Sequence, residues 1–194
     1  MRLNLNKLLL ILSLILIVIA CNHHKSKSQV APFDLSDYLK KDSLKIYQVS
    51  DIVDGDTYKV LIQNEEFKVR LLGIDTPESS NNTKTRRDSQ RDGQDVQEIV
   101  ALGKLATEFV HNYLNEGDSV RLELDVEHFD RYDRILAYIY LMDGRMMNEI
   151  LIREGYAYVM TYAPNIKYQE IFLEAFKDAR ENKRGLWADS MATN

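Results

Sequence analysis

Apolar and polar residues alternate along the chain from Leu44 onward, which is typical of strands that bury one face. The alternation breaks at Asp54-Gly55, a strong tight-turn signal, and again at residues 63–66. These breaks predict a three-stranded meander. Residues 119–127 and 135–142 alternate in the same way and predict two further strands.

Three other segments place apolar residues at the spacing of one helix face, residues 102–113, 147–151 and 168–179. Gly185 follows the third segment as a terminating residue. Core packing is the expected role of their aromatic and methionine side chains. Five strands interrupted by one helix and followed by two more is an α+β order, and a five-stranded Greek-key β-barrel of the OB type with three α-helices accommodates it.

Residues 79–98 have no apolar period and alternate basic with acidic side chains. This pattern predicts a long loop, and loops of this length are usually functional or disordered. Two interpretations stay open: a solvated insertion of mixed charge, or a flap that contacts the substrate.

The amino-terminal residues have the composition of a secretory signal, with Arg2 and Lys7 ahead of an apolar run over residues 8–20. The run is shorter than the roughly twenty residues that a stable membrane span needs. It closes on Val18-Ile19-Ala20-Cys21, which resembles the bacterial lipobox. That resemblance implies cleavage before Cys21, lipidation of Cys21, and a lipoprotein held at the membrane in the cell envelope. The alternative is an ordinary signal peptide with a chance cysteine.

These patterns divide the chain into a signal peptide (residues 1–20), a polar tether (21–42), one domain (43–189) and a short tail (190–194). Cys21 is the one cysteine of the sequence, so the domain contains no disulfide and must be stabilised by burial.

The charge balance excludes a general attraction for polyanions. The chain has 25 basic and 30 acidic side chains, and removal of Arg2 and Lys7 with the signal lowers the formal net charge from −5 to about −7. Phosphate binding would therefore require a local cationic site or a metal ion.

A candidate metal site lies where strand three runs into a turn. Asp75 ends the apolar stretch, and Pro77 pushes Thr76 toward extended geometry while removing an amide donor. We therefore expect the Thr76 carbonyl to be free of the strand ladder. A carboxylate beside a free carbonyl suits a hard cation such as Ca²⁺, and Asp56 would add a second carboxylate if strands two and three pair.

Three further side chains have the chemistry for phosphodiester cleavage. Glu78 could act on a water molecule as a base or as an orienting group. Arg70 in strand three and Arg134 before strand five carry planar guanidinium groups that stabilise developing negative charge. Each alone has a structural explanation, such as a surface ion pair for Arg134. The hypothesis therefore depends on the whole set.

Five blocks resemble the staphylococcal nuclease (thermonuclease) family in order and spacing: VDGDTYKV, VRLLGIDTPES, DRYDRILAYIY, MNEILIREGYAYV and KRGLW. The resemblance covers residues 46–187. It implies an OB-fold barrel with three helices and a monomeric, calcium-dependent endonuclease. Such an enzyme cuts DNA and RNA, preferably single-stranded or denatured, at the P–O5′ bond and leaves 3′-phosphate ends.

The resemblance also implies roles for individual residues, as calcium ligands, as catalytic or phosphate-binding side chains, and as nucleotide-contacting tyrosines. By position these are Asp56, Asp75 and the Thr76 carbonyl; Arg70, Glu78 and Arg134; and Tyr132 and Tyr162. Packing at the barrel edge is an alternative role for Tyr132.

Three departures from the family pattern bear on substrate binding. Asp133 replaces the usual glycine before Arg134; it tolerates left-handed backbone geometry but adds a negative charge that is expected to weaken phosphate binding. The block around Thr161 and Tyr162 is one residue short, which leaves open which of the two contacts the nucleotide. The segment 79–98 is longer than usual.

The leading functional hypothesis is thus a lipid-anchored calcium-dependent nuclease outside the cytoplasmic membrane. Two alternatives are a non-catalytic nucleic-acid-binding OB module and a structural lipoprotein with no ligand. The complete set of carboxylates and arginines favours the enzyme, because a pure binder has no need of it.

Overall fold

Seven strands form a barrel and a small separate sheet in the computed structural model, which describes residues 34–40 and 45–188. In chain order they are Ile46–Asp54 (β1), Thr57–Ile62 (β2), Glu65–Leu71 (β3), Gly73–Asp75 (β4), Ser119–Glu123 (β5), Ile135–Leu141 (β6) and Tyr158–Met160 (β7). The predicted signal peptide, Cys21, most of the predicted tether and the tail 190–194 lie outside the described residues.

The barrel closes in the order β1-β2-β3-β6-β5, so the predicted five-stranded barrel is confirmed. β1, β2 and β3 form the expected antiparallel meander, while β3 and β6 run parallel. Antiparallel pairing of β1 with β5 completes the closure. The β2–β3 register places Thr57 opposite Arg70, which brings the start of one strand beside the end of the next.

The predicted strands differ from the observed ones at their ends. The strand expected over residues 119–127 ends at Glu123, and the stretch leading into Asp75 is divided between β3 and β4. Gly73 lies in the left-handed region (φ 77°), and a Cβ there would come within 2.5 Å of the Phe172 ring. β4 pairs with β7 in a two-stranded sheet of three residues per strand, which is too short to produce a recognisable period.

The described residues contain five α-helices and one short 3₁₀ helix, so the prediction of three α-helices is wrong. The helices are Leu35–Lys40 (α1), Thr83–Asp92 (α2), Val96–Val110 (α3), Met147–Arg153 (α4) and Gln169–Glu181 (α5), and the 3₁₀ helix is Gly185–Trp187. The three predicted stripes correspond to α3, α4 and α5.

Helix α2 and the start of α3 replace the loop predicted over residues 79–98. α2 is defined by its caps rather than by an apolar stripe. The Asn82 side chain accepts hydrogen bonds from two amides of the first turn, and the Thr85 hydroxyl accepts one from the Asn82 amide, which completes a capping box. Gly93 ends α2 in the left-handed conformation, and Asp95 caps the start of α3. The prediction failed because it relied on periodicity.

Helix α1 differs from the expectation of a polar tether over residues 21–42. Leu39 is 5% exposed, and the Ser36 hydroxyl lies 3.2 Å from His128 Nδ1 in the loop between β5 and β6. The Lys45 ammonium donates to the Tyr38 carbonyl at 2.9 Å. Residues 34–40 of the predicted tether are therefore folded. Among the described residues no helix has the length and apolar character needed to cross a membrane.

The core fills the barrel and the space between it and the helices. Its largest fully buried side chains include Tyr58, Tyr138 and Phe172. Asn148 on α4 is also fully buried; its side chain accepts from the Ile139 amide at 3.0 Å and donates to the Leu72 carbonyl at 2.9 Å. Because an unpaired buried amide is costly, this pair of bonds fixes α4 against the strands that carry the candidate site.

Candidate functional site

Arg70 links two carboxylates that the sequence analysis assigned to a metal site. Its guanidinium forms an ion pair with Asp56 Oδ1 and donates to Asp75 Oδ1 at 2.6 Å. It also donates to the Ile74 carbonyl at 3.1 Å. The β2–β3 register causes this convergence, because Arg70 lies opposite the residue that follows Asp56. The side chains of Arg70 and Asp56 are 14% and 6% exposed, so the ion pair is largely shielded from water.

Thr76 joins this cluster through its backbone. Its amide donates to Asp56 Oδ2 at 2.8 Å, and the residue is 2% exposed. A Cβ on Gly55 would lie 2.8 Å from Thr76 Cγ2, so the glycine permits the close approach of the two segments. In the part of the chain that the structure describes, no hydrogen bond reaches the Thr76 carbonyl oxygen. The carbonyl thus keeps its capacity to accept another ligand.

Glu78 is held by two residues of the capped helix start. Its Oε2 accepts from Asn82 Nδ2 at 2.6 Å, and its Oε1 lies 2.8 Å from Lys84 Nζ. The same ammonium group lies 2.8 Å from Asp75 Oδ1. Sequence reasoning missed Lys84, because it assigned the whole segment to a loop and no local signal connects this lysine to Asp75.

Asp54 is a second residue that sequence reasoning missed. Its Oδ1 accepts the Asp56 amide at 3.2 Å, which places its carboxyl at the edge of the cluster. Burial raises the pKa of Asp54, the nearby Glu78 charge raises it further, and Arg70 opposes both. A usable signal was present, because Asp54 and Asp56 flank the same turn glycine.

Glu78 and Lys84 also have shifted pKa values. Burial raises the pKa of Glu78. The hydrogen bond and charge of Lys84, together with the hydrogen bond from Asn82, outweigh burial and leave this pKa below its ordinary value. Burial lowers the pKa of Lys84, but Asp75 and Glu78 raise it above its ordinary value. Both groups are therefore charged near neutral pH.

Arg134 lies near Arg70 but is held by a different carboxylate. Burial lowers the pKa of Arg70. The negative charge of Asp75 raises this pKa, and the positive charge of Arg134 lowers it. Arg134 Nε donates to Asp130 Oδ2 at 2.7 Å, and its guanidinium lies 5.6 Å from the centre of the Tyr132 ring. The two guanidinium groups are therefore neighbours, and each is paired with carboxylates of its own.

Asp133 is expected from the sequence to add a negative charge beside Arg134. It adopts the left-handed conformation (φ 58°) and is exposed, and among the described contacts its carboxylate makes none with Arg134. Asp130, three residues earlier, accepts the amides of Tyr132 and Arg134 at 2.9 and 3.0 Å as well as the Arg134 side chain. Asp130 thus holds Arg134, and the effect of Asp133 on phosphate binding stays a prediction.

The two candidate nucleotide-contacting tyrosines are both exposed, Tyr132 by 63% and Tyr162 by 70%. Tyr132 lies beside Arg134, whereas no described contact joins Tyr162 to the carboxylates or arginines of the site. Thr161 is half-buried, and its hydroxyl donates to Gln169 at 3.1 Å. Of Thr161 and Tyr162, therefore, only Tyr162 has an exposed aromatic ring that a base could contact.

The donor set fits a hard cation. Asp56, Asp75 and the Thr76 carbonyl present oxygen ligands of the kind that Ca²⁺ accepts, and the Asp75 carboxylate already attracts two positive groups. Within the described ranges, no group of three or more histidine, cysteine, aspartate or glutamate side chains lies where it could hold a metal ion. Water and a phosphate oxygen would have to supply further ligands.

The site and the barrel together define an OB-fold protein with an ionic site suited to an anionic substrate. Comparison with known sequences agrees: a family model described as staphylococcal nuclease homologue matches residues 68–189. The chain therefore belongs to the staphylococcal nuclease family, and the resemblance of the five sequence blocks is confirmed.

Individual relatives cover most of the chain. The Thermonuclease of Staphylococcus hyicus is 36% identical over 144 residues, which is 74% of this chain and 76% of that protein. The Thermonuclease of Staphylococcus intermedius is 35% identical over 142 residues, covering 73% and 75%. Endonuclease YncB of Bacillus subtilis is 36% identical over 143 residues, covering 71% of this chain and 59% of that protein.

Proposed function

We propose that this protein is a calcium-dependent endonuclease that hydrolyses phosphodiester bonds of DNA and RNA and leaves 3′-phosphate ends. The observation that carries the proposal is the grouping of Asp56, Asp75, Glu78 and Arg70 around one buried ion-pair cluster, with Arg134 close enough to affect the pKa of Arg70. The relatives named Thermonuclease and Endonuclease support the reaction class.

Each residue of the cluster has a distinct role in this reaction. Asp56, Asp75 and the Thr76 carbonyl would hold Ca²⁺, which when bound supplies Lewis-acid polarisation of the phosphate. Arg70 and Arg134 pair with the nonbridging phosphate oxygens, whose charge grows as water attacks phosphorus. Glu78 orients the attacking water or accepts its proton.

The exposed rings of Tyr132 and Tyr162 support a preference for single-stranded or denatured substrates. A base can stack on an aromatic face when it is not enclosed in a duplex, and such stacking contributes about 1–3 kcal/mol per base. Tyr132 lies beside Arg134, so a base stacked there would have its own phosphate near the guanidinium.

Lipidation of Cys21 would place the enzyme in the cell envelope, outside the cytoplasmic membrane. The resemblance to the family implies that it acts as a monomer. The support is the sequence alone: the apolar run before Cys21 and its likeness to a lipobox. The polar residues that follow would allow the domain to reach soluble nucleic acid.

The proposal is tested by incubating the purified protein with denatured DNA and with RNA at mildly alkaline pH, with calcium, with magnesium or with chelator. We expect cleavage with calcium, little with magnesium, which demands near-ideal octahedral geometry, and none with chelator. End analysis should give 3′-phosphates. Cleavage that persists in chelator, or 5′-phosphate products, would show a different mechanism.

The same assay separates an enzyme from a binding module. Glu78→Gln should lower kcat by about a hundredfold while oligonucleotide binding is retained, because the change removes a proton acceptor but keeps the side-chain shape. If the wild-type protein binds oligonucleotides and cuts none of them under any condition, the non-catalytic OB module is the correct assignment.

A further inference from the structure

Lys84 occupies a position between two carboxylates of the site. Its ammonium nitrogen lies 2.8 Å from Asp75 Oδ1 and 2.8 Å from Glu78 Oε1, and the side chain is 30% exposed. Asp75 Oδ1 also accepts the Arg70 guanidinium at 2.6 Å. One carboxylate oxygen of the candidate metal site is thus already shared by two positively charged groups.

The start of α2 holds Lys84 in this position. Asn82 caps the helix and also donates to Glu78, so the cap and the catalytic carboxylate are part of the same network. Thr85 is fully buried, and its hydroxyl donates to the Ser80 carbonyl at 2.6 Å. A fixed first turn presents the lysine to the carboxylates, so its placement does not depend on a mobile loop.

A divalent cation and the Lys84 ammonium group cannot both use Asp75 Oδ1 without strong mutual repulsion. Two positive charges a few ångströms apart in a partly buried site repel each other by several kcal/mol at the effective dielectric of protein surfaces. Calcium binding would therefore release Lys84 from Asp75. Because the same ammonium group also pairs with Glu78, that second ion pair would be lost as well.

We infer that Lys84 is an internal counterion that competes with calcium for Asp75 and that its displacement frees Glu78. This inference rests on the proposed function, since it concerns the calcium that the function requires. In the metal-free protein Lys84 neutralises the carboxylates, which prevents their mutual repulsion from destabilising the fold. In the calcium-bound protein the carboxylates have exchanged this ammonium for the metal, and one oxygen of Glu78 is open to water.

The test is calcium binding, measured by titration calorimetry on the full protein without substrate. Lys84→Met keeps the length and apolar stem of the side chain and removes its charge, so we expect calcium to bind at least about tenfold more tightly. Lys84→Arg retains the charge and should bind calcium within about threefold of the wild-type protein.

Lys59 provides the matched control. It is also a lysine between two carboxylates, 2.9 Å from Asp51 and 3.7 Å from Glu66, and its side chain is 28% exposed. Because neither carboxylate belongs to the site, Lys59→Met should leave calcium affinity unchanged.

Thermal unfolding supplies a second readout that does not depend on activity. In chelator, Lys84→Met should unfold at a lower temperature than the wild-type protein, because Asp75 and Glu78 lose a counterion. In saturating calcium the difference should shrink or reverse, since a ligand that binds only the folded state stabilises it in proportion to its affinity. A purely structural lysine would give the same deficit in both conditions.

Two outcomes overturn the inference, and they are distinguishable from a failure of the proposed function. Calcium that binds the wild-type protein and Lys84→Met equally, or binds the variant more weakly, shows that no competition exists while leaving calcium dependence intact. If neither protein binds calcium, the proposed cofactor and the competition both fail. Binding that appears only in Lys84→Met supports the competition.

Discussion

At the scale of single residues, Asp56, Asp75 and Glu78 are each paired with at least one cation. Arg70 pairs with Asp56 and Asp75, Lys84 bridges Asp75 and Glu78, and Arg134 is held by Asp130, outside the proposed metal site. Paired groups stay ionised and keep fixed orientations, which is what a site acting on a charged substrate requires.

Replacement of Asp130 tests whether the orientation of Arg134 matters. In Asp130→Asn the charge that holds the Arg134 guanidinium is lost, so we expect kcat/KM to fall by about tenfold through weaker phosphate binding. Asp143→Asn is the control, because Asp143 holds Arg145 by similar bonds (2.9 and 2.7 Å) on the turn after β6. Equal activity in both variants would contradict the role of Asp130.

The pKa of Asp130 adds a pH dependence to the same comparison. Burial raises this pKa, but the hydrogen bonds from Arg134 outweigh burial and lower it below the ordinary value of 3.8. A lowered folded-state pKa stabilises the fold above the unfolded value, and this contribution is lost as pH falls through the folded value. The wild-type protein should therefore unfold at a higher temperature than Asp130→Asn near neutral pH. This difference in unfolding temperature should shrink as the pH falls below about 3.8.

At the scale of elements, helices α2 and α3 position the turn that carries Glu78. α2 presents Lys84 and Asn82 to it, and α3 packs its Gly103 directly against the main chain of Glu78. A Cβ at Gly103 would lie 2.3 Å from the carbonyl carbon and oxygen of Glu78. The segment after β4 is therefore fixed between two helices that the sequence analysis had treated partly as a loop.

Gly103→Ala should reverse the usual effect of this substitution in a helix. Alanine in a helix interior normally stabilises by about 1 kcal/mol relative to glycine. Here the added methyl group must displace the Glu78 backbone, so we expect destabilisation by about 1–3 kcal/mol in denaturant unfolding and a lower kcat. Lys104→Ala, at the exposed next position, should change neither. A stabilised and fully active Gly103→Ala would show that the two segments separate easily.

At the scale of the whole molecule, charge is distributed unevenly. The chain carries a formal net charge of −5, yet Arg70, Lys84 and Arg134 gather around one cluster. Binding of the proposed nucleic-acid substrate should therefore depend on ionic strength through a few contacts at this cluster rather than through a broad basic surface.

The proposed membrane attachment also concerns the whole molecule. Cys21→Ser should move the protein from the detergent phase to the aqueous phase, or block its processing, because lipidation needs the thiol, while calcium-dependent activity persists. Phase partitioning and mass analysis of the amino terminus measure this, with Ser28→Ala as the control. A wild-type protein that partitions into buffer and carries no lipid would rule out the anchor.

The sequence by itself determined the barrel strands and three of the helices. Between its turns the stretch of residues 46–71 alternates because each strand buries one face, and stripes such as residues 102–113 repeat because α3 buries one side. These signals are local, so a window of ten residues contains them. The caps of α2 are local too, at Asn82 and Gly93, but a search for periodicity does not find a helix without an apolar face.

Only the tertiary structure decided which charged groups meet. Nothing in the sequence distinguishes Lys84 from its basic neighbours, or shows that Asp130 rather than Asp133 holds Arg134. Periodicity specifies which face of an element is buried, whereas an ion pair depends on a distance of a few ångströms between side chains on different elements. Strand register sets that distance for Arg70 and Asp56, and the capped first turn of α2 sets it for Lys84. The complete set of site residues can therefore be identified only from the folded structure.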